Sequence, residues 1–387
     1  IATQQGGHCR QSADDVLPDV YLGTEKITAI MKRICRLSCV FARARLCLLC
    51  LLMSMTIVGC GNQTGDEQSG VGFSIAKEGD STIVTVMSPW AKGKVMGRYA
   101  MTVPYQRIAC TSATHIGFLR ELGLMDRLVG TCRPDRVYNM TDEERVLVAD
   151  YGDDMQPNLE AILLSAPDAI VISTYGEGDA VAAQIEALGI SVLYCNEWTE
   201  HSPLARAEWI RFFGACFGCE ERADSVFGSV KKAYAEMVAK EPSEVSIMSG
   251  QAFMGTWYVP TGGTFMGRLF ADAGARYYYA DDPSTSSLPL TMEQALQVFA
   301  DADVWLGCCA RSLEELAGTD EKHMWFRAYQ TGQVYNFNAR TLPSGANDFW
   351  ETGVVHPELI LNDLQQILHS AADSDFVPDL YFSQKID

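Results

Sequence analysis

The residues of this 387-residue sequence that could do chemistry are scattered, not grouped in the spacings that catalysis needs. The six histidines lie far apart, which argues against several imidazoles converging on a bare transition-metal ion. A Gly-x-Ser-x-Gly nucleophile elbow does not occur in the sequence. Residues 176–178 lack the third glycine of a dinucleotide loop, and residues 262–268 lack the Lys-Ser/Thr pair of a phosphate loop. The residue pattern therefore does not predict an enzyme.

Thirteen cysteines could form disulfides or a redox pair, but their positions favour neither. Seven of them follow residue 71, mostly in or beside apolar strand-like runs, where a free cysteine behaves as a small hydrophobe. Cys216 and Cys219 have redox-motif spacing, yet they fall within a helical pattern instead of at a strand-to-helix start. We expect no redox role for this pair, and the sequence assigns no disulfide.

Beyond residue 71, short apolar strands alternate with helical patterns. Residues 73–86 predict two strands around a Gly79-Asp80 turn. Strands separated by helices build βαβ units, so we predict an α/β fold of two Rossmann-like lobes with mostly parallel sheets and a ligand cleft between the lobes. Residues 203–241 keep helical spacing, with weak points at Gly214 and Gly218, and predict one long linking helix.

The N-terminal region resembles an export signal. Basic residues from Lys32 to Arg45 precede an apolar run that is too short for a bilayer span of about 20 residues. Cys60 directly follows the small Gly59, as the lipidated cysteine does in a bacterial lipobox. We therefore expect 1–30 to be an upstream extension absent from the mature protein and 31–59 a lipoprotein signal peptide. Cys60 would be the lipid anchor, followed by a flexible tether (60–70), an N-terminal lobe (71–202), the linking helix (203–241) and a C-terminal lobe (242–387).

A net charge of −19 argues against nucleic acid as a partner, because nucleic acids bind basic surfaces. Hydrophobic residues at 48% and charged residues at 20% are typical of a globular chain. We expect an exported monomer, lipid-anchored to a membrane and facing the periplasm or the cell surface.

Several segments, in the same order along the chain, resemble the substrate-binding lipoproteins of ATP-binding-cassette importers. They are residues 107–115, 122–130, 157–171, 289–305 and 347–359. The group resembled captures ferric siderophores, haem or cobalamin and has two lobes joined by a rigid helix. The resemblance implies a protein without a cofactor that captures an iron chelate, siderophore or haem, and delivers it to a permease. A cobalamin-binding protein, a surface enzyme on the same fold and a scavenger without a permease remain as alternatives.

Loops after the predicted strands supply the cleft candidates, because ligands of open α/β sheets bind beyond the carboxyl ends of the strands. These loops are 111–115, 133–138 and 174–178 in the first lobe, and 254–258, 309–311 and 338–350 in the second. Their arginine and aromatic side chains suit a large, flat or anionic chelate. The candidate residues are Ser112, Thr114, His115, Arg133, Tyr138, Tyr151, Tyr175, Trp257, Tyr258, Arg340 and Trp350. We interpret His115 as a local hydrogen-bonding residue, and we predict no metal site.

Glu160 and Glu293 occupy corresponding positions of the two predicted lobes, each near the start of a helix. The resemblance implies that they form salt bridges with arginines of the permease, where paired acidic groups would orient the protein. The alternative is that each carboxylate only complements the dipole of its helix.

Overall fold

The computed structural model describes residues 72–387, which begin with an antiparallel meander. Its strands are β1 (Phe73–Glu78), β2 (Ser81–Met87) and β3 (Val95–Met101). The predicted turn is present: Glu78 pairs with Ser81, and Gly79 has a φ of 60°, a conformation that glycine adopts without strain. The pattern did not predict β3, whose side chains are mostly exposed or half-buried. The predicted upstream extension, the signal peptide, Cys60 and the whole tether (60–70) lie outside the described residues.

The first lobe is built on a five-stranded parallel sheet in the order β6-β5-β4-β7-β8. These strands are β4 (Ile108–Cys110), β5 (Leu128–Thr131), β6 (Ala149–Asp150), β7 (Ala169–Ile172) and β8 (Ser191–Tyr194). The helices that follow them are α1 (Ala113–Leu122), α2 (Asp142–Leu147), α3 (Leu159–Ser165) and α4 (Ala180–Ala187). β4 and β7 are buried along their whole length, as central strands of a parallel sheet are. The chain leaves β4 toward β5 and later returns to β7 on its other side, which creates a switch point where ligands commonly bind.

The segment predicted as one long linking helix is two helices, which corrects that prediction. α5 (Pro203–Phe217) ends at Gly218, whose φ of 73° caps the helix in the left-handed conformation, and α6 (Glu220–Met237) follows. The break lies at one of the predicted weak points. The other, Gly214, lets the two helices approach closely, because a Cβ there would lie 2.5 Å from the Cβ of Ala223. α5 packs its aromatic side chains in the first core, while Tyr234 of α6 donates a 2.7 Å hydrogen bond to Asp272 of the second lobe.

The second lobe contains a five-stranded sheet in the order β12-β9-β14-β15-β16, parallel except for β16. These strands are β9 (Ser246–Ser249), β12 (Arg276–Tyr277), β14 (Val304–Leu306), β15 (Val334–Asn336) and β16 (Gln384–Lys385). A small antiparallel sheet is formed by β10 (Ala252–Phe253), β11 (Thr256–Val259) and β13 (Leu288–Leu290). The helices are α7 (Phe265–Asp272), α8 (Met292–Phe299), α9 (Leu313–Thr319), α10 (Arg327–Gln330), α11 (Thr352–Val355) and α12 (Pro357–Ala372). The predicted two-lobed α/β fold is confirmed.

Each lobe has its own core, and one late element crosses between them. Val354 and Val355 of α11 pack in the first core, with Ile116 and Phe118 of α1, although in the chain they follow β15 of the second sheet. Gly117 allows this approach, because a Cβ there would lie 2.6 Å from the carbonyl oxygen of Glu351. The chain thus returns to the first lobe before it ends.

Across residues 72–387, no helix combines the length and the apolar character that a bilayer span requires. The seven cysteines in this part of the chain are unpaired, and five of them are buried.

Candidate ligand-binding cleft

A cavity of about 860 Å³ opens at the carboxyl ends of three strands of the second lobe. Ser249, Gly307 and Asn336 lie at the ends of β9, β14 and β15 and form its floor. The loop 337–350 contributes most of the wall. Ligand pockets commonly measure 300–1,000 Å³, so this volume suits a large small molecule.

The cavity wall is aromatic, with a single charge. Tyr258 and Trp350, both predicted, line it with 48% and 51% of their surfaces exposed, beside Phe337 and Phe349. Arg311 is the one charged side chain among the described residues that line the cavity. Within residues 72–387 no acidic side chain pairs with it, since only its main-chain N–H is bonded, to Glu315 at 2.8 Å. An unpaired guanidinium in an aromatic wall can bind an anionic group of a flat ligand.

Arg340 does not offer the free charge that was predicted for it, which corrects that expectation. Its Nε donates a 2.6 Å hydrogen bond to the buried carboxylate of Asp348. Burial alone would lower the pKa of Arg340, but the hydrogen bond and charge of Asp348 outweigh burial and raise it. The guanidinium also lies over the rings of Tyr381, at 4.4 Å, and Tyr138, at 5.2 Å. Arg340 is therefore a structural cation beside the cavity.

The contact between Arg340 and Tyr138 shows how the two lobes meet. Tyr138 lies in the loop that follows β5, and Arg340 lies in the loop that follows β15. Loops from the carboxyl ends of both sheets therefore touch. The cavity lies at this same edge of the second sheet, and all of its described lining residues belong to the second lobe.

A buried polar junction fixes this contact. The Glu351 carboxylate accepts hydrogen bonds from the main-chain N–H groups of Tyr138, at 2.6 Å, and Asn139, at 2.9 Å. The side chain of Asn139 donates to Asp348 at 2.8 Å and to Thr352 at 3.1 Å. Burial raises the pKa of Glu351 to about 7, although the two main-chain donors favour its charged form.

His356 makes a second polar link at the same junction. Its ring lies 3.3 Å from Glu121 of α1 and 2.8 Å from Glu358 of α12. Burial would lower the pKa of His356, but the two carboxylates outweigh it and raise the pKa to about 9. Charged bridges therefore hold α1 and α12 together near neutral pH.

Four first-lobe candidates lie at the carboxyl edge of their sheet, partly exposed. Ser112 accepts a hydrogen bond from the N–H of Thr114 at 3.3 Å and caps α1. Arg133 adopts a left-handed φ of 48° and pairs with Asp135 at 3.2 Å. Tyr175, 59% exposed, lies against Trp198 with ring centroids 5.5 Å apart. These side chains are accessible to a ligand, although none of them lines the large cavity.

Three predicted cleft residues are fully buried instead, which corrects their assignment. Tyr151 bonds to Ser165 at 2.7 Å in the core of the first lobe. Trp257 donates from Nε1 to the carbonyl of Ser249 at 3.0 Å, and its neighbour Tyr258 faces the cavity because successive side chains of a strand point to opposite faces. His115 is buried as well, with Nε2 3.3 Å from the Ser173 hydroxyl.

Sequence reasoning missed Ser249 and Met266, which also line the cavity. Ser249 is the last residue of β9, so the rule for strand ends could have found it. Met266 lies in the first turn of α7, and no motif marks it.

Glu160 and Glu293 are both exposed in the first turn of a helix, α3 and α8 respectively. Glu293 pairs with Lys322 at 2.8 Å, whereas within residues 72–387 no ion pair involves Glu160. Leu163 and Leu164 of α3 are 52% and 79% exposed, so Glu160 lies beside a small apolar surface.

Two α/β lobes joined at the loops after their strands, with a cavity at the strand ends of the second lobe, are typical of a two-lobed ligand-binding protein. The family described as periplasmic binding protein matches residues 108–341, more than half of the chain. The chain belongs to this family.

One curated relative and two solved structures are similar to the chain. An uncharacterized lipoprotein of Methanocaldococcus jannaschii is 23% identical over 297 residues, 73% of this chain and 70% of the relative. A periplasmic heme-binding protein from Pseudomonas aeruginosa has a TM-score of 0.55 at 16% identity, covering 73% of this chain and 98% of that one. A siderophore-binding protein solved with two molecules of acinetobactin and ferric iron has a TM-score of 0.53 at 17% identity, covering 74% and 98%. At these identities the structures share the fold.

Proposed function

We propose that this protein is the extracytoplasmic substrate-binding component of an ATP-binding-cassette importer, and that it captures an iron chelate and delivers it to the permease. The observation that carries the proposal is the cavity of about 860 Å³, in whose aromatic wall Arg311 has no acidic partner among residues 72–387. Relatives of the same fold include a heme-binding and a siderophore-binding protein.

The lining chemistry favours a ferric siderophore first. Tyr258, Phe337 and Trp350 can pack on the organic shell of a chelate, while Arg311 pairs with a carboxylate or catecholate oxygen. Haem is the second candidate, because Tyr258, Met266 and Cys309 are possible axial ligands in the same cavity. Cobalamin is a third.

Delivery to the permease would use one carboxylate on each lobe and the lipid anchor. Glu160 and Glu293 are exposed, one on each lobe, where basic groups of a permease could reach them. A lipid at Cys60 with a flexible tether would keep a monomer at high local concentration near that permease. The buried junction of Glu351 and Asn139 and the helix pair α5–α6 oppose wide opening, so we expect limited closure around a largely preformed cleft.

The test is to purify the protein from its native cell envelope and to identify what it carries by absorbance and mass spectrometry. We expect an iron chelate, seen as a siderophore charge-transfer band or a Soret band with the matching mass. A corrin spectrum would select cobalamin. A protein that carries no chelate, and that also fails to bind haem, ferric siderophores or cobalamin in titration, would refute the proposal.

A further inference from the structure

The first lobe contains a second group of polar side chains, none of which lines the cavity. His115, Cys195 and Glu197 are each at most 3% exposed. His115 lies in the first turn of α1, Cys195 directly follows β8, and Glu197 begins a short 3-10 helix (Glu197–Thr199). One nitrogen, sulfur or oxygen atom of each lies within 4.8 Å of the others. The fold thus brings three different donor atoms to one buried point.

The distances between these atoms suit coordination of one ion. Nε2 of His115 lies 3.4 Å from Oε2 of Glu197, and Sγ of Cys195 lies 3.4 Å from the same oxygen. Ligands of a tetrahedral zinc ion lie about 2.0–2.3 Å from the metal, which separates them from one another by roughly 3.3–3.8 Å. Both separations from Glu197 fall in this range, and the third, between His115 and Cys195, is at most 4.8 Å, so small movements would bring all three donors to a shared cation.

Hydrogen bonding alone holds this group loosely. Both contacts to Glu197 are longer than a good charge-assisted hydrogen bond of about 2.7–2.9 Å. Within the described chain Nδ1 of His115 has no hydrogen-bond partner, although the ring is fully buried. Burial raises the pKa of the Cys195 thiol, and it also disfavours the ionised form of Glu197. Hydrogen bonding and charge from His115, together with the charge of Arg206, nevertheless lower the pKa of Glu197.

The set of donors selects a particular class of metal ion. Imidazole, thiolate and carboxylate together suit zinc and similar divalent ions, whereas magnesium and calcium require oxygen ligands. A divalent cation would also balance the charge, because one thiolate and one carboxylate carry two negative charges beside a neutral imidazole. Binding would release the thiol proton of Cys195.

We propose that His115, Cys195 and Glu197 form a resident binding site for one zinc-like divalent cation, separate from the chelate cavity. Ser173, whose hydroxyl lies 3.3 Å from Nε2 of His115, or a water molecule supplies the fourth ligand. Ser173 is half-buried, so this side of the site is the path toward solvent. The ion ties the start of α1 to the segment that follows β8, which also carries Trp198. The proposal revises the expectation that His115 makes only local hydrogen bonds, and it does not depend on the identity of the chelate.

The experiment loads the tag-free, metal-stripped protein with Zn²⁺ in a calorimeter and with Co²⁺ in a spectrophotometer. We expect one ion per chain, a thiolate-to-cobalt charge-transfer band in the near ultraviolet and the strong visible absorption of a tetrahedral site. Cys195→Ala should abolish the charge-transfer band, and Glu197→Gln should weaken Zn²⁺ binding by at least about tenfold. Cys216→Ala, which removes an equally buried cysteine in α5, should leave binding unchanged.

Two outcomes would overturn the proposal. One is a folded protein, judged by circular dichroism, that takes up no Zn²⁺ at micromolar concentration. The other is uptake that persists in Glu197→Gln and gives no thiolate band in the unmodified chain, which would place the ion elsewhere. The cobalt spectrum is read on the natural sequence, so the test stands even if Cys195→Ala does not fold.

Discussion

Arg311 is the residue whose substitution can show whether the ligand is anionic. It carries the one charge among the described residues of the cavity wall, while the predicted cation Arg340 is already paired with Asp348. Removing the charge of Arg311 should therefore weaken the binding of an anionic ligand and leave the binding of a neutral ligand unchanged. We expect Arg311→Gln to weaken binding of a ferric catecholate about tenfold, or about 1.4 kcal/mol, and to reduce the salt dependence of binding.

The control ligand is a neutral ferric hydroxamate, and the control variant carries a substitution outside the cavity. Calorimetric titration measures the binding of each chelate to each variant. Arg276 is an exposed arginine of the same lobe that does not line the cavity. Arg276→Gln should bind both chelates as the natural chain does. An equal loss of both chelates in Arg311→Gln would contradict a role for its charge.

At the scale of elements, the break between α5 and α6 should be required for stability. Gly218 has a φ of 73°, and a Cβ there would lie 2.5 Å from Cγ of Pro104. We expect Gly218→Ala to lower the free energy of unfolding by about 1–3 kcal/mol, because both backbone strain and a clash result. Urea denaturation followed by circular dichroism measures the change.

Gly228 provides the matched control within α6. A Cβ there meets nothing within 4 Å, and the residue lies in the helix interior. Gly228→Ala should therefore stabilise the protein by about 0.5–1 kcal/mol, because alanine is the better helix former. If Gly218→Ala were stabilising too, the segment could continue as the single helix that the sequence pattern predicts.

At the scale of the whole molecule, the proposed docking on a permease would use both lobes at once. Charge reversal in Glu160→Arg with Glu293→Arg should abolish chelate uptake by cells while leaving the affinity for the chelate unchanged, because both carboxylates are exposed and lie outside the cavity lining. Uptake of a radiolabelled iron chelate measures transport, and titration measures affinity.

A paired control separates docking from the helix dipole. Glu143 and Glu314 are also exposed in the first turns of helices, α2 and α9. Glu143→Arg with Glu314→Arg should perturb two helix dipoles equally and leave uptake intact. Loss of uptake in both double variants would favour the dipole interpretation. Normal uptake in the Glu160 and Glu293 double variant would exclude the docking role.

The fold could be predicted because its strands are short apolar runs between helices, which local pattern reveals. Which side of each strand faces the core was harder to predict from the sequence. Trp257 and Tyr258 are adjacent aromatic residues, yet the first is buried and the second is exposed. The pairing of Arg340 with Asp348 depends on how the loop 337–350 folds back, and the grouping of His115 with Cys195 and Glu197 depends on contacts between distant segments. Neither leaves a signal in local spacing.

The return of α11 to the first core has a consequence for how the chain acquires its structure. Val354 and Val355 complete a core whose other members begin near residue 84, so the first lobe is not an independent folding unit. The first lobe cannot be finished until about 270 further residues are available, and contacts of such long range slow folding. A chain that emerges gradually from a ribosome or a membrane pore would therefore remain incompletely folded until its last helices arrive.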